Sequence, residues 1–417
     1  MKKRLVLLTL ILTLAVFSIA SGTEILFWAM DNAPSALHVA WMQEKAAEFE
    51  AKTGIKVVFE EIGWGDGPRI MNALITGEGA HVFQLGTTWN PQYAETGGLV
   101  EIDINEFGGA DRFFAANLES TTLNGKYYGV PWFAETRVLF YNTKMFEEAG
   151  VRPPQTYEQL LEVGKKIIEV HGEGRAIATA GTAAWDLIHN WAIILWAHGG
   201  DMLNEDNTEA IFNSAAGVRA MNYWVSLVDT GLASKACAEY NQPQADAAFI
   251  SGETAMAFMG PWNIADIAHD NPDLPYFVVE PPAGPYGRAA FSGGSNLAIR
   301  SNASKEEIEA AKEWVKFLVS DDVLADYTKN LTNMIPANKY ALNDPYYDTE
   351  IWRTFIKALG YAKAYPPIPE WGQIESIIQT NFGNVLTDYV DGRFSNITSK
   401  GYLDAAAAEV NAVLQGN

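Results

Sequence analysis

One cysteine, Cys237, stands in 417 residues. That count excludes an internal disulfide and any cysteine-rich metal site. Histidine is also scarce: six residues, scattered, with no His-Glu-x-x-His and no pair at metal-ligand spacing beside a carboxylate. No metal and no cofactor is expected. The chain has no phosphate loop of the G-x-x-x-x-G-K type and no G-x-S-x-G nucleophile elbow. Gly63-x-Gly65-x-Gly67 has the wrong spacing for a dinucleotide fingerprint and reads as a turn. Positive charge is short, with 29 Lys and Arg against 51 Asp and Glu, a net charge of -22. So acidic a surface repels phosphate backbones and anionic lipid, so nucleic acid is not a partner. Past the N-terminus, no apolar run is long enough to span a bilayer.

What is present begins with Met-Lys-Lys-Arg and an apolar run from Leu5 to about Ala20, closed by small residues up to Gly22. A basic start, a short apolar run and a small-residue exit predict a secretory signal peptide over residues 1–22. Losing Lys2, Lys3 and Arg4 takes the charge from -22 to -25. No cysteine stands at the cleavage point for lipid attachment, so a free, soluble mature protein is expected. The 13 tryptophans and 17 tyrosines exceed what cores alone need. In a secreted acidic protein such a surplus suits sugars. A pyranose offers C–H groups to an indole face and hydroxyls to carboxylates and amides.

The central stretch is Lys126 to Asn142, two extended segments separated by Pro131, Trp132 and Glu135. Pro131 cannot donate to a ladder, so a turn or a change of sheet is expected there, with Trp132 and Glu135 facing a cleft between two lobes. Upstream, strands at Glu24–Trp28, Ile55–Glu60 and His81–Leu85 alternate with helices. This order predicts a mostly parallel sheet covered by helices, binding ligands beyond the carboxyl ends of its strands. Asp31, Trp64, Asp66 and Trp89 stand at those ends, and Trp28 is expected to be half-buried. Downstream, capping boxes at Thr156/Gln159 and Ser304/Glu307 open two helices. Arg175–Ala180 reads as a strand. A helix with Trp185, His189, Trp191 and Trp196 follows, and the chain from Asp348 on is mostly helical.

Gly129-Val-Pro-Trp132, Arg137-Val-Leu-Phe-Tyr-Asn142, Phe249-x-Ser251-Gly252, Gly260-x-Trp262, Gly293-Gly294-x-Asn296-Leu-Ala-Ile299, Ala311-x-x-Trp314-x-x-Phe317-Leu318 and Ile335-Pro336-Ala337 occur in order over nearly the whole mature chain. This series resembles the extracellular sugar-binding proteins of ABC importers, the maltose-binding-protein-like solute-binding family. One departure is Ala80-His81-Val82, where many relatives carry Pro-Asp-Val.

The resemblance implies an α/β, two-lobe periplasmic binding protein fold with a hinge of about three crossings and a helical C-terminal segment. The lobes would be 23–132 plus 293–335, and 133–292 plus 336–417. A mono- or oligosaccharide would lie between them, without catalysis, for delivery to a transmembrane permease. A monomeric periplasmic protein is implied. By match to family positions, Glu135, Trp262 and Trp371 are site residues. Trp185 and His189 fall in the first turns of a helix that should face the cleft, and Gly293, Gly294 and Ser295 would offer bare backbone. Two alternatives stay open at this point. One is a secreted carbohydrate-active enzyme using cleft acids such as Glu135. The other is a receptor for a non-sugar solute, for which ferric ion would need clustered tyrosines such as Tyr127-Tyr128 or Tyr346-Tyr347.

Overall fold

A computed structural model describes residues 22–182, 185–394 and 399–416. The expected signal peptide lies outside the described residues except for Gly22. The chain starts with β1 (Glu24–Met30), α1 (Ser35–Thr53), β2 (Lys56–Ile62), α2 (Gly67–Thr76), β3 (Val82–Gly86) and α3 (Asn90–Glu95). Then come α4 (Ala115–Glu119), a small hairpin of β4 (Thr122–Leu123) and β5 (Lys126–Tyr127), and β6 (Val130–Glu135). β1 runs parallel to β2 and β3. All five residues of β3 and all six of β6 are buried, as strands covered on both faces must be.

The second half of the architecture follows with β7 (Val138–Asn142), α5 (Thr143–Glu148), α6 (Tyr157–His171), α7 (Trp185–Ala197), α8 (Ala215–Asp229), α9 (Gln242–Ile250), β8 (Met256–Met259), α10 (Asn263–Asp270) and β9 (Tyr276–Val279). β7 is the middle of a three-stranded antiparallel sheet, between β8 and β9. The chain then returns to the first sheet as β10 (Gly293–Ile299), α11 (Lys305–Leu318), α12 (Asp321–Tyr327) and β11 (Ile335–Pro336). The first sheet has the order β11-β6-β10-β3-β1-β2, with β10 antiparallel to both β3 and β6. The chain closes with α13 (Glu350–Leu359), α14 (Trp371–Phe382), α15 (Val385–Val390) and α16 (Ser399–Leu414).

The chain leaves the first sheet for the second after β6, returns before β10, and leaves again after β11 for α13, which packs on β7 and β9. The first passage divides the core. Val130, Trp132 and Phe133 pack with the helices of the first sheet, whereas Ala134, Val138 and Phe140 pack with α9 and α13. Gly294 makes the second passage feasible. It has φ +118°, a region that side-chain-bearing residues rarely occupy, and its backbone lies against Phe133 and Ala134.

Several sequence expectations are corrected. Trp132 does not face a cleft. It is fully buried and stacks on Tyr327 with ring centroids 4.4 Å apart and planes 15° from parallel. Side chains alternate along a strand, so the neighbouring Phe133 and Glu135 take the cleft side. Arg175–Ala180 is not a strand; Arg175 and Ala178 make only single bridges, to Ala233 and Ala257. The Ser304/Glu307 box is complete, but at Thr156 only half forms, because the Gln159 side chain turns to the Gln155 amide at 2.8 Å. Trp28 is nearly buried, with the Arg69 guanidinium 4.0 Å above its ring. His81, the residue departing from Pro-Asp-Val, accepts a 2.9 Å hydrogen bond from the Leu26 amide at Nδ1 and so ties β3 to β1.

Candidate ligand-binding cleft

A cavity of ≈ 650 Å³ opens between the two sheets at the carboxyl ends of β1 and β3. The first-sheet side contributes Asp31 and Asn32 after β1, Trp64 after β2, and Thr87, Thr88 and Trp89 after β3. Trp64 and Trp89 meet edge-on, 5.9 Å apart at 75°, and both remain half-buried. Behind Asn32, its amide and that of Gln84 bond each other, and Gln84 Nε2 donates to Ser295 Oγ at 2.8 Å.

The opposite wall comes from α7, α9 and the turn before α10, which supply Asp186, His189, Gln242, Asp246 and Trp262. Glu135 and Arg137 from the first crossing form the floor, together with Phe291, Gly293 and Gly294. Arg137 Nη2 is paired with Asp186 Oδ1, and its Nη1 lies 3.6 Å from Glu135 Oε1. The guanidinium also lies 5.4 Å from the centroid of the Trp262 ring, which fixes the indole at the cavity edge. Glu135 is 8 % exposed, and its Oε2 has no hydrogen-bond partner. Burial raises the Glu135 carboxyl pKa, against the pull of Arg137.

Asp246 accepts from Gln242 at 2.6 Å and from Asn263 at 3.0 Å, yet burial still pushes its carboxyl up to about 7. Glu375, on α14, is pushed up to about 8 by burial, and its Oε1 has no partner. His189 stacks on Phe291 at 3.9 Å and 11°, and its Nδ1 is hydrogen-bonded to Tyr365 Oη at 2.9 Å. Burial, aided by Arg137, holds His189 well below its ordinary pKa, so the ring is neutral.

Of the residues expected from sequence, the cavity brings together Asp31, Trp64, Trp89, Glu135, His189, Trp262 and Gly294. Three others lie elsewhere. Asp66 turns back to cap its own loop, accepting from the Gly63 amide at 2.8 Å. Ser295 is wholly buried on β10, held by Gln84. Trp371 is 1 % exposed and stacks on Tyr365 at 4.5 Å and 24°, inside the core of α7, α8, α14 and α16. The side chain of Trp185, the first residue of α7, lies outside the described residues.

Sequence reasoning passed over Asp186, Asp246 and Glu375. A signal existed for the last: Glu375 follows Trp371 by one helical turn, on the same face. No tyrosine lines the cavity among the described residues, and Tyr347 bonds Thr328 in the core, so the ferric-ion alternative has no ligands here.

A groove between two α/β lobes, lined from both and carrying indoles, carboxylates and a guanidinium, defines a two-lobe solute receptor. A profile of the family described as bacterial extracellular solute-binding protein matches residues 35–325, and the chain belongs to that family. The diacetylchitobiose binding protein DasA of Streptomyces coelicolor is 29 % identical over 374 residues, covering 85 % of this chain and 83 % of that one. The maltotriose-binding protein of Pyrococcus abyssi is 26 % identical over 382 residues, covering 88 % and 78 %. Among solved structures, an ABC transporter solute binding protein of Thermotoga lettingae bound with alpha-D-tagatose aligns with a TM-score of 0.80 at 25 % identity. That alignment covers 94 % of this chain and 100 % of that chain. The protein is thus a solute-binding protein and not an enzyme. Among the described residues, no helix is long and apolar enough to cross a membrane.

Proposed function

We propose that this protein binds a mono- or oligosaccharide in the cleft and delivers it to the transmembrane permease of an ABC importer. The observation that carries this reading is the convergence of Trp64, Trp89 and Trp262, from both lobes, on one cavity shared with Glu135 and Arg137. Indole faces accept the C–H side of a sugar ring, while carboxylates and the guanidinium bond its hydroxyls. The cavity volume falls in the range of about 300–1,000 Å³ usual for small-molecule sites. The related proteins named for diacetylchitobiose and maltotriose support the same ligand class.

The lobes divide as 23–132 plus 293–335 and 133–292 plus 336–417, a division supported by the return of β10 and β11 to the sheet of β1. Closure about the three passages traps the sugar, and ligand shifts the open–closed balance by its differential affinity for the closed form. The working protein is a monomer outside the inner membrane, exported by its N-terminal signal. Its single cysteine stands at position 237 and not at the expected cleavage point, which supports a form held without a lipid. A thermal-shift screen over monosaccharides, α- and β-linked oligosaccharides and polyols, read beside tryptophan fluorescence, tests the reading. One matched sugar raising the melting temperature and changing the emission is expected. A flat response across the whole panel contradicts it.

A further inference from the structure

A continuous hydrogen-bond chain leaves the cleft at Asn32 and enters the core of the first lobe. It is anchored by the Met30 amide, which donates to Gln84 Oε1 at 2.9 Å. A backbone N–H only donates, so this bond fixes which end of the Gln84 side chain is oxygen and which is nitrogen. Gln84 Nε2 then donates to Asn32 Oδ1 at 3.2 Å and to Ser295 Oγ at 2.8 Å. Asn32 Nδ2 gives one hydrogen to Gln84 Oε1 at 2.9 Å and the other to Tyr327 Oη at 3.0 Å. Tyr327 Oη lies 3.2 Å from His38 Nε2, and His38 Nδ1 lies 2.7 Å from Glu61 Oε1. Ser35 Oγ holds the other Glu61 oxygen. Tyr327 and His38 are wholly buried and do not line the cleft, whereas Asn32 does.

We propose that Tyr327 and His38 are positioning residues for the ligand, holding Asn32 so that it meets a sugar hydroxyl with its carbonyl oxygen. The inference rests on the sugar-binding reading above. Both amide hydrogens of Asn32 are spent inside the protein, and its Oδ1 accepts once, from Gln84. The capacity left is the second lone pair of that oxygen. A free asparagine can turn over and offer either end. This one is held as an acceptor, and it selects a ligand group that donates.

The chain runs in one direction. Tyr327 Oη accepts from Asn32, so its own proton goes to His38 Nε2, which must be bare. At the far end the Glu61 carboxylate can only accept, so His38 Nδ1 carries the hydrogen. Both ends thus require the same neutral tautomer. Burial holds the His38 pKa below its ordinary value, against the pull of Glu61 and Asp31, in keeping with an uncharged ring. Packing fixes the phenol: Trp132 stacks on it at 4.4 Å and the Trp41 ring lies 4.9 Å away. Phenylalanine at position 327 would keep those contacts and lose only the hydroxyl.

A double-mutant cycle in ligand affinity tests the assignment. The probes are glucose, galactose, tagatose, maltose, maltotriose, cellobiose and diacetylchitobiose, and the cycle uses the one that wild type binds most tightly. Asn32→Ala should weaken binding about tenfold, and Tyr327→Phe about threefold or more. In the Asn32→Ala background, Tyr327→Phe should change affinity by less than about twofold, because its effect passes through Asn32. A role in stability alone would leave the two losses independent. Tyr327→Phe binding like wild type, or costing the same factor in both backgrounds, overturns the inference and leaves the sugar-binding reading standing. Failure of every probe to bind wild type overturns both.

If Tyr327→Phe folds poorly, magnetic resonance of the wild-type protein with isotope-labelled imidazole rings decides the matter. His38 is assigned by its contacts with the Phe59 and Tyr327 rings. The expected spectrum has the hydrogen on Nδ1 and a bare Nε2 whose resonance moves when the probe sugar saturates the cleft. A hydrogen on Nε2, or a resonance that the sugar leaves unmoved, overturns the inference.

Discussion

Gly294 passes so close to Phe133 that a Cβ on it would sit 2.1 Å from the Phe133 carbonyl oxygen. The clash is with backbone, so no side-chain rotation relieves it, and the φ of +118° adds its own strain. Gly294→Ala should therefore cost about 2 kcal/mol or more, measured by urea unfolding of the ligand-free protein. It should also widen the floor of the cleft, since the second passage between lobes must shift.

Two tryptophans with similar sequence prospects should behave oppositely. Trp132 is core, so Trp132→Ala should cost about 3–5 kcal/mol in unfolding free energy. Trp262 is half-buried at the cavity rim, held by Arg137. Trp262→Ala should leave the melting temperature nearly unchanged and weaken sugar binding about tenfold or more, read by fluorescence titration.

The carboxyl of Glu375 gives a pH signature with a fixed sign. Its folded pKa of about 8 lies above the ordinary carboxylate value. Above about pH 4.3 the unfolded chain ionises this group while the native protein keeps the proton, so stability falls as pH climbs and levels off past pH 8. Glu375→Gln lacks that loss. Its unfolding free energy should match wild type near pH 4 and exceed it by a few kcal/mol near pH 8, at about 1.4 kcal/mol per unit. Equal pH profiles for the two proteins would show that Glu375 is ionised in the fold.

Asp66 offers a control for the acids of the cleft. Its carboxylate bonds the Gly63 amide and not the cavity. Asp66→Ala should cost about 0.5–2 kcal/mol of stability with ligand affinity unchanged once the protein is folded.

The alternation of strands and helices in the first hundred residues was readable because β1, β2 and β3 are short strand-forming runs bounded by turns, with α1 and α2 between them. The loop ends after those strands then located Asp31, Trp64 and Trp89, since topology alone sends ligands there. Trp132 and Trp371 were misplaced for one reason. Both match motif positions, but composition does not tell which face of a strand or helix a ring takes. The period-two alternation of β6 turns Trp132 inward, and Tyr365 covers Trp371. Asp186 and Asp246 were illegible because their importance comes from burial and mutual proximity. Asp186 and Asp246 are 60 positions apart in sequence, and Glu375 is further still, so only the folded chain brings them to one cavity.

The most direct measurement is mass spectrometry of whatever small molecule leaves the natively purified protein on denaturation. The account predicts a carbohydrate, released at about one per chain. Recovery of a different solute at that ratio, such as an amino acid, a peptide or a metal chelate, would contradict it.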